Sequence, residues 1–584
     1  MKRLSYIISP IAFIALSFWL LLHVRPYILE TAALTPFLTT QVFASTMLSS
    51  PCGLLFYVAS FMQSCFALPF VGISLLVLVL SLLTVVLWRA CHIDYPLFPL
   101  CWLPSFLLLL NYSQAGYLIY VLKTPALAFT LPVGLLVAVL MFWAWRAAAS
   151  RWQFVLLAVA YLAVGYWTIG VCYFVAVAMI VLFEVCQTIR SHRYQRLFAA
   201  LALAMLSAIL PLVLYRLGLV FVNISNLYTI GLPDFSTDGA EASLLWPYRL
   251  AIAVVLLLPM LRNIGKPRLM AVVTLLLFAV CATLTYARTY RDANFLSALR
   301  MKQAISSACY EDVLTEARQI EGEPTRLQVL LCRLSLLRLD RLADECFVYP
   351  DGCADYNCPR DVQLLQKVGG RLIYCHFGLP NYAFRWAMED FVEYGPRPDY
   401  LSMMRNCALL NGETTVARKY ADALASVPFA ECGDVSQSEL DAISQIMPSA
   451  DVMAEDDGVV EGFLLNTHAS IAEGSKAALE LSIVSNLIRK NSDAFWPLFE
   501  KWWQQCDDNR IPNHFQEACL LFGQMYGVDT TLLPLSDDVK QSFSDFLAQV
   551  RQNANDDYSR TALRPMFGHT YWYYYFYRDN LMTY

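Results

Sequence analysis

The residues of this 584-residue chain whose types and spacing suit chemistry are few. Glu30 stands just beyond an apolar run, Leu4 to Leu22. A carboxylate there can take a proton from a hydroxyl when partial burial tunes its pKa. The alternative is an interfacial pair with Arg25, five residues earlier. Arg216 lies six residues before the end of its apolar run and Arg249 five residues into the next, so both are expected at similar depth. Two guanidiniums at that level, with Arg25 as a weaker third, can hold a phosphate, because the planar fork matches phosphate oxygens. Snorkelling to headgroups, or pairing with Asp234, Asp238 and Glu241 of the loop between them, is the competing reading. Tyr571 to Tyr577 is an unbroken run of seven aromatics that no single helical face can hold. It is expected to pack on a neighbour, to anchor in the headgroup zone, or to offer Tyr571, Trp572, Tyr574 and Tyr575 to an acceptor or to the membrane.

Other chemistries lack their residues. The sequence has no Walker loop, no dinucleotide fingerprint, no nucleophile elbow and no His-Glu-x-x-His. The seven histidines form no ligand-like pair and no Cys-x-x-Cys occurs, so no metal or resident cofactor is expected. Seventeen cysteines divide seven and ten across the last apolar run; Cys346, Cys353 and Cys358 are close enough to compete for partners if the carboxy half is exported.

The elements that must position these groups are mostly membrane spans. The chain is 58% hydrophobic and 15% charged, with mean hydropathy +0.48, which places it in the membrane class. Leu269 to Ala287 is a nineteen-residue uncharged run, long enough to cross a bilayer, and it is the last such run. Nine spans are predicted: Leu4 to Leu22, Phe66 to Trp88, Leu97 to Leu110, Ala126 to Trp145, Trp152 to Gly165, Gly170 to Gln187, Leu197 to Val222, Leu244 to Leu261 and Leu269 to Ala287. The runs at Leu97 and Trp152 are short for a full crossing. With the amino terminus inside, cytoplasmic segments carry eleven Lys and Arg and the opposite loops two, a strong positive-inside bias. Residues 1–291 therefore read as a polytopic domain with a long first outer loop, 23–65. Residues 292–584 read as a periplasmic domain ending in the aromatic segment 571–577. Through Tyr286 the chain holds 15 basic against six acidic residues, and beyond it 27 against 41. An outer half that acidic repels nucleic acid, so no nucleic-acid partner is expected.

The carboxy half shows apolar residues at three-to-four spacing in segments such as Ala293 to Ser306, Thr325 to Leu339, Tyr382 to Tyr394, Thr414 to Ser426 and Asn513 to Tyr526. No comparable strand-like alternation occurs, so the fold class is all-α. Ala383 and Ala387 recur at an offset of 34 as Ala417 and Ala421, the tetratricopeptide period. An α-solenoid, TPR-like, is expected, with a generic helical array as the alternative.

The first outer loop carries a resemblance. Glu30 after the first span, Pro51-Cys52-Gly53-Leu54 opening an amphipathic run to Gln63, and the Pro69 to Gly72 entry resemble polytopic glycosyltransferases that use lipid-phosphate sugar donors, the GT-C class. The motifs cover about the first ninety residues, and the likeness extends loosely over the membrane half. Glu30 lacks the paired acid usual in that class, and Asn111 to Pro125 carries no acid where another is often found. The chain is also similar, over nearly its full length, to an uncharacterised bacterial membrane-protein family joining such a domain to outer helical repeats. The resemblance implies transfer of a sugar from a polyprenyl-phosphate carrier to an envelope acceptor. Glu30 would be the base, Arg216 and Arg249 would hold phosphate, and the solenoid would present the acceptor. A non-catalytic scaffold in the inner membrane, its solenoid recruiting a protein partner, is the alternative.

Overall fold

The computed structural model describes residues 4–191, 194–220, 222–236, 241–260, 267–352, 365–429, 435–448, 460–506, 509–552 and 556–578. Among them the secondary structure is helical, and the only β pairing is two isolated bridges, Leu122 with Phe235 and Ile230 with Leu232. The chain divides into two compact units. The first is Met1–Arg291 with Phe391–Asp399 and Ala423–Glu431; the second is Asp292–Asp390, Tyr400–Asp422 and Cys432–Tyr584.

Among the described residues, seven helices of the first unit are long and apolar enough to cross a membrane: Pro69–Cys91, Tyr95–Gln114, Thr130–Ala147, Trp152–Ile169, Val171–Ile189, Tyr194–Arg216 and Met270–Arg288. The predicted first span is the front of a bent pair, Ile7–His23 and Arg25–Ala33, which meet at 75°. Pro26 explains the break: it can start a helix, but it cannot donate the backbone bond that would continue the preceding one. The predicted span at Leu244 is the shorter helix Leu244–Met260. Both short runs gain length from irregular turns. A 3-10 stretch, Tyr95–Trp102, with Pro96 and Pro99 inside it, precedes one of them. A π-turn, Tyr161–Gly165, carries the other on to Ile169.

We label the helices of this unit that bear on the site: α1 Leu4–His23, α2 Arg25–Ala33, α3 Gln41–Leu48, α4 Gly53–Ser64, α5 Pro69–Cys91, α6 Leu103–Gln114, α7 Thr130–Ala147, α8 Arg151–Ala160, α9 Tyr166–Ile169, α10 Val171–Ser191, α11 Tyr194–Arg216, α12 Glu241–Leu257 and α13 Pro267–Arg288. Helix α6 is the hub, packed on α12 and α13, while α5 packs on α7 and α10 on both α7 and α11. The span ending in α6 is 83% buried, against 22% for α11 and 17% for α13. Those two peripheral helices present Phe198, Met205, Ile209, Leu276 and Val280 outward. A helix apolar on its open side suits lipid, since water would leave those side chains solvated at a cost.

The second unit is built from helices whose bounds follow the predicted periodicity closely. Ala293–Ser306 and Asn513–Tyr526 match it, while Arg326–Arg338, Pro380–Tyr394, Pro398–Leu410 and Thr414–Ala425 differ by a residue or two at their ends. Local caps explain several starts. Asp292 accepts from the N–H groups of Asn294 and Phe295, and Thr325 forms a capping box with Gln328. Ala383, Ala387 and Ala417 are buried, as close helix approach requires.

Candidate functional site

Glu30 lies on α2, and the bend at Val24 turns that helix away from α1 and into the unit. It is 3% exposed. Tyr120 donates its phenol hydrogen to Glu30 Oε1 at 2.5 Å, a short contact of the kind a charged acceptor favours. Around α2 runs a connected set of neutral polar groups. Thr31 Oγ1 donates to the Tyr27 carbonyl (2.8 Å), Tyr112 Oη donates to Thr31 Oγ1 (3.2 Å), and Tyr27 Oη donates to the Tyr112 carbonyl (3.0 Å). From α4, Gln63 Nε2 donates to Thr35 Oγ1, and Gln63 Oε1 accepts from Ala128 N, both at 2.9 Å. Tyr248 of α12 donates to the Leu127 carbonyl. Among apolar spans each such group must find a partner inside the protein, so this set fixes α2, α4, α6 and α12 against one another.

Tyr120 is positioned by its own surroundings. It belongs to the 3-10 turn Gly116–Val121, which opens at Gly116 with φ +53°; a Cβ there would also stand 2.6 Å from the Tyr290 ring. Glycine is the residue that meets both conditions. Immediately after Tyr120, residues 121–124 pair with 232–236. Ser236 N donates to the Val121 carbonyl, Lys123 N to the Asp234 carbonyl, and Thr124 Oγ1 to the Leu232 carbonyl, at 2.8 to 2.9 Å. The segment Phe391–Asp399 closes over this pairing. Buried Arg397 donates to the Leu122 carbonyl at 2.6 Å and lies over the Tyr394 ring at 4.7 Å; Tyr394 Oη meets Ser236 Oγ at 2.8 Å. Lys123 pairs with Glu393 at 2.7 Å, a hydrogen bond that raises the ammonium pKa above its ordinary value.

The other expected residues stand elsewhere. Arg25, the first residue of α2, is exposed. Arg216 and Arg249 are exposed too, among outward-facing Leu212, Leu217, Trp246 and Leu250, on helices that share α10 as a neighbour, α11 packing also on α8 and α12 also on α6. The structure thus brings Tyr120, not the arginines, to the Glu30 carboxylate. Asp234 is engaged through its backbone; Asp238 and the Glu241 side chain lie outside the described residues.

Helix α4 is amphipathic, as its sequence suggests. Leu54, Val58 and Phe61 face outward, while Ala59, Ser60 and Gln63 face in. The Pro51-Cys52-Gly53 entry is a tight corner. Cys52 is left-handed at φ 65° and donates its N–H to the Trp167 carbonyl at 2.8 Å. A Cβ on Gly53 would fall 1.8 Å from the Met47 carbonyl oxygen.

In the second unit the aromatic run forms the helix Tyr571–Tyr577, capped by Thr570. Tyr571, Trp572, Tyr573 and Tyr574 are buried against Phe347, Phe522, Phe543 and Phe546. Of the readings open for this run, packing on a neighbour is the one that the burial of Tyr571, Trp572 and Tyr574 fits, with Tyr575 half-buried and Phe576 exposed. Their neighbour Glu517 accepts from both Tyr571 N (2.7 Å) and His514 Nδ1 (2.8 Å), while His514 Nε2 accepts from Phe347 N. Cys346 is a buried free thiol, and Cys353 and Cys358 lie outside the described residues. Among the described residues no three His, Cys, Asp or Glu side chains gather closely enough to hold a metal ion.

Sequence reasoning missed Tyr120, Gln63 and Arg397. The first two are uncharged and carry no spacing signal, and Arg397 lies 275 residues along the chain from the carbonyl it binds.

No curated protein and no solved structure matches the chain. A family model does, over residues 1–578: the chain belongs to a family of unknown function, DUF6057.

Proposed function

We propose that this protein is an integral membrane enzyme of the GT-C kind, moving a sugar from a polyprenyl-phosphate carrier to an envelope acceptor. The observation that carries the reading is a carboxylate, Glu30, buried among apolar spans and oriented by Tyr120 at 2.5 Å. An ionisable side chain is expensive in such surroundings and marks function by default. In the reaction the acceptor hydroxyl gives its proton to Glu30 as its oxygen attacks the anomeric carbon. The bond from that carbon to the phosphate oxygen breaks, and polyprenyl phosphate leaves with the electron pair. Tyr120 is the positioning residue. Arg216, Arg249 and, more weakly, Arg25 meet phosphate at the lipid surface, consistent with their exposure.

In this reading the bent first helix and the short Leu244–Met260 helix complete nine crossings of a bacterial inner membrane. The amino terminus is cytoplasmic, and the carboxy half is a periplasmic TPR-like solenoid that presents the acceptor. The test is transfer from polyprenyl-phosphate sugars by the full chain in nanodiscs. Transfer that disappears in Glu30→Gln at unchanged thermal stability supports the reading; transfer that survives removes Glu30 as base.

A second reading, a scaffold whose solenoid recruits a protein at the outer face, is favoured by the exposed arginines, which do not gather phosphate ligands around Glu30. It predicts that Glu30→Gln leaves partner capture intact.

A further inference from the structure

The Glu30 carboxylate and the Tyr120 hydroxyl that meets it stand 90 residues apart in the chain, so their two segments must be held in register. Tyr120 belongs to a turn of only six residues, Gly116–Val121, and α2 ends at Ala33. One stretch of the first unit touches the chain just past each of them. In Phe391–Asp399, Arg397 Nη2 donates to the Leu122 carbonyl, two residues after Tyr120. In the same stretch Gly395 approaches Pro36, three residues after the end of α2; a Cβ on Gly395 would lie 3.6 Å from the Pro36 Cβ. Gly395 takes a φ of +86°, a left-handed value that suits glycine. The Arg397 N–H donates back to the Gly395 carbonyl at 2.8 Å, so both points of contact belong to one tight turn.

Two bonds tie this stretch to the residues after Tyr120, and they are unequal. Lys123 pairs with Glu393, but the two side chains are 40% and 44% exposed, and ion pairs that open to solvent contribute little. Arg397 is 3% exposed. Burying a guanidinium is costly, and it is kept where its bonds are specific. Here it gives the Leu122 carbonyl a charge-assisted hydrogen bond, the stronger kind, while the Tyr394 ring beneath it fixes the direction of its fork. Tyr394 in turn meets Ser236, whose N–H holds the Val121 carbonyl. The carbonyls of Val121 and Leu122 are thus both set from this one stretch.

We propose that Arg397 is a positioning residue for the Glu30 carboxylate, holding the Leu122 carbonyl so that the turn before it keeps the Tyr120 hydroxyl on Oε1. This rests on the reading of Glu30 as the base. A misplacement of about 1 Å at a reacting group can cost about a hundredfold in rate, so a contact two residues from Tyr120 is enough to govern transfer.

The test uses the full chain in nanodiscs. The infrared band of the Glu30 carboxyl, isolated as the difference from Glu30→Gln, reads the Tyr120 hydrogen bond. Arg397→Met should move that band in the same direction as Tyr120→Phe does, and Arg397→Lys, which keeps a cationic donor, should move it less. Transfer should fall about tenfold to a hundredfold in Arg397→Met. The same change made in Tyr120→Phe should cost less than about a further twofold, because the two residues act as one unit. A Glu30 band that stays in place in Arg397→Met, or losses that multiply in the double variant, would overturn the proposal. If Arg397→Met does not fold, Gly395→Ala, strained at its positive φ, displaces the same turn and is read in the same way. Band shifts that follow this order in a chain with no transfer activity would uphold the positioning and remove the proposed reaction.

Discussion

Of the carboxylates buried among the described residues, Glu461 and Glu30 are held in two different ways. Glu461, on the helix Val460–Ala469, is clamped by the guanidiniums of Arg326 and Arg333, whereas Glu30 takes a short hydrogen bond from the Tyr120 phenol on a helix whose other polar groups bond to hydroxyls and an amide. Both are almost inaccessible, at 1% and 3%. A carboxylate held by two permanent cations cannot readily accept a proton, because protonation would leave buried positive charge uncompensated. The phenol of Tyr120 carries no permanent charge, so its hydrogen bond places no such constraint on Glu30. Burial alone therefore does not single out a reactive acid; the donor that holds it does.

The comparison breaks most visibly at Glu461. Glu461→Gln should destabilise the second unit by about 3–5 kcal/mol, the usual cost of stranding a buried charge, read as an early unfolding transition of the full chain. Glu30→Gln should leave unfolding nearly unchanged, because the amide oxygen still accepts from Tyr120, while transfer falls by about two to four orders of magnitude. If both variants unfold the protein equally, the distinction between the two acids is lost.

Acid should also separate the units. His376 and His468, buried in the second unit, have pKa values pushed down to about 3 and about 4; burial is the first cause at both, and Arg338 adds to it at His376. Their folded values lie below the unfolded one, so the unfolded chain binds the extra protons. The stability these neutral rings allow is complete above about pH 6.5 and is lost as pH falls toward 4 and 3. The unfolding temperature of the second unit should drop across that range, and the drop should shrink in a His376→Gln, His468→Gln double variant.

Tyr120→Phe, which removes one donor from Glu30, should cost about 0.5–1.5 kcal/mol of stability and lower transfer less than Glu30→Gln does. The smallest effect belongs to the exposed arginines. Arg216→Ala and Arg249→Ala should move stability by no more than about 0.5 kcal/mol, so any loss of transfer in them reports phosphate binding, not folding.

Much of this architecture is legible in the sequence because it rests on local patterns. Runs of apolar residues mark most spans within a few positions, and Asp292, Thr325 and Ser475 cap helices where capping residues are expected. The bend after His23 was not legible, since Pro26 is as compatible with a loop as with a new helix. Helices Gln437–Ser444 and Val460–Ala469 escaped because each is short and neither carries a clear periodic stripe. Glu30 stood out by charge and position, but its partner did not. Tyr120 is one of 32 tyrosines, and only the three-dimensional pairing of 121–124 with 232–236 singles it out. The outward facing of Arg216 and Arg249 is not legible, because depth along a helix can be read from sequence while the direction a side chain faces around it cannot.

The composition of the first unit bears on how the chain is made. Thr39 closes both its N–H and its hydroxyl on the Ser426 carbonyl, at 2.8 and 2.9 Å, and Lys123, Ser236 and Leu122 find partners in Glu393, Tyr394 and Arg397. These partners are translated more than a hundred residues after the last apolar helix. The membrane portion must wait, inserted but unfinished, while nearly half of the remaining chain is synthesised. A fragment ending at Arg291 would carry every span and still lack the pieces that close the turn bearing Tyr120.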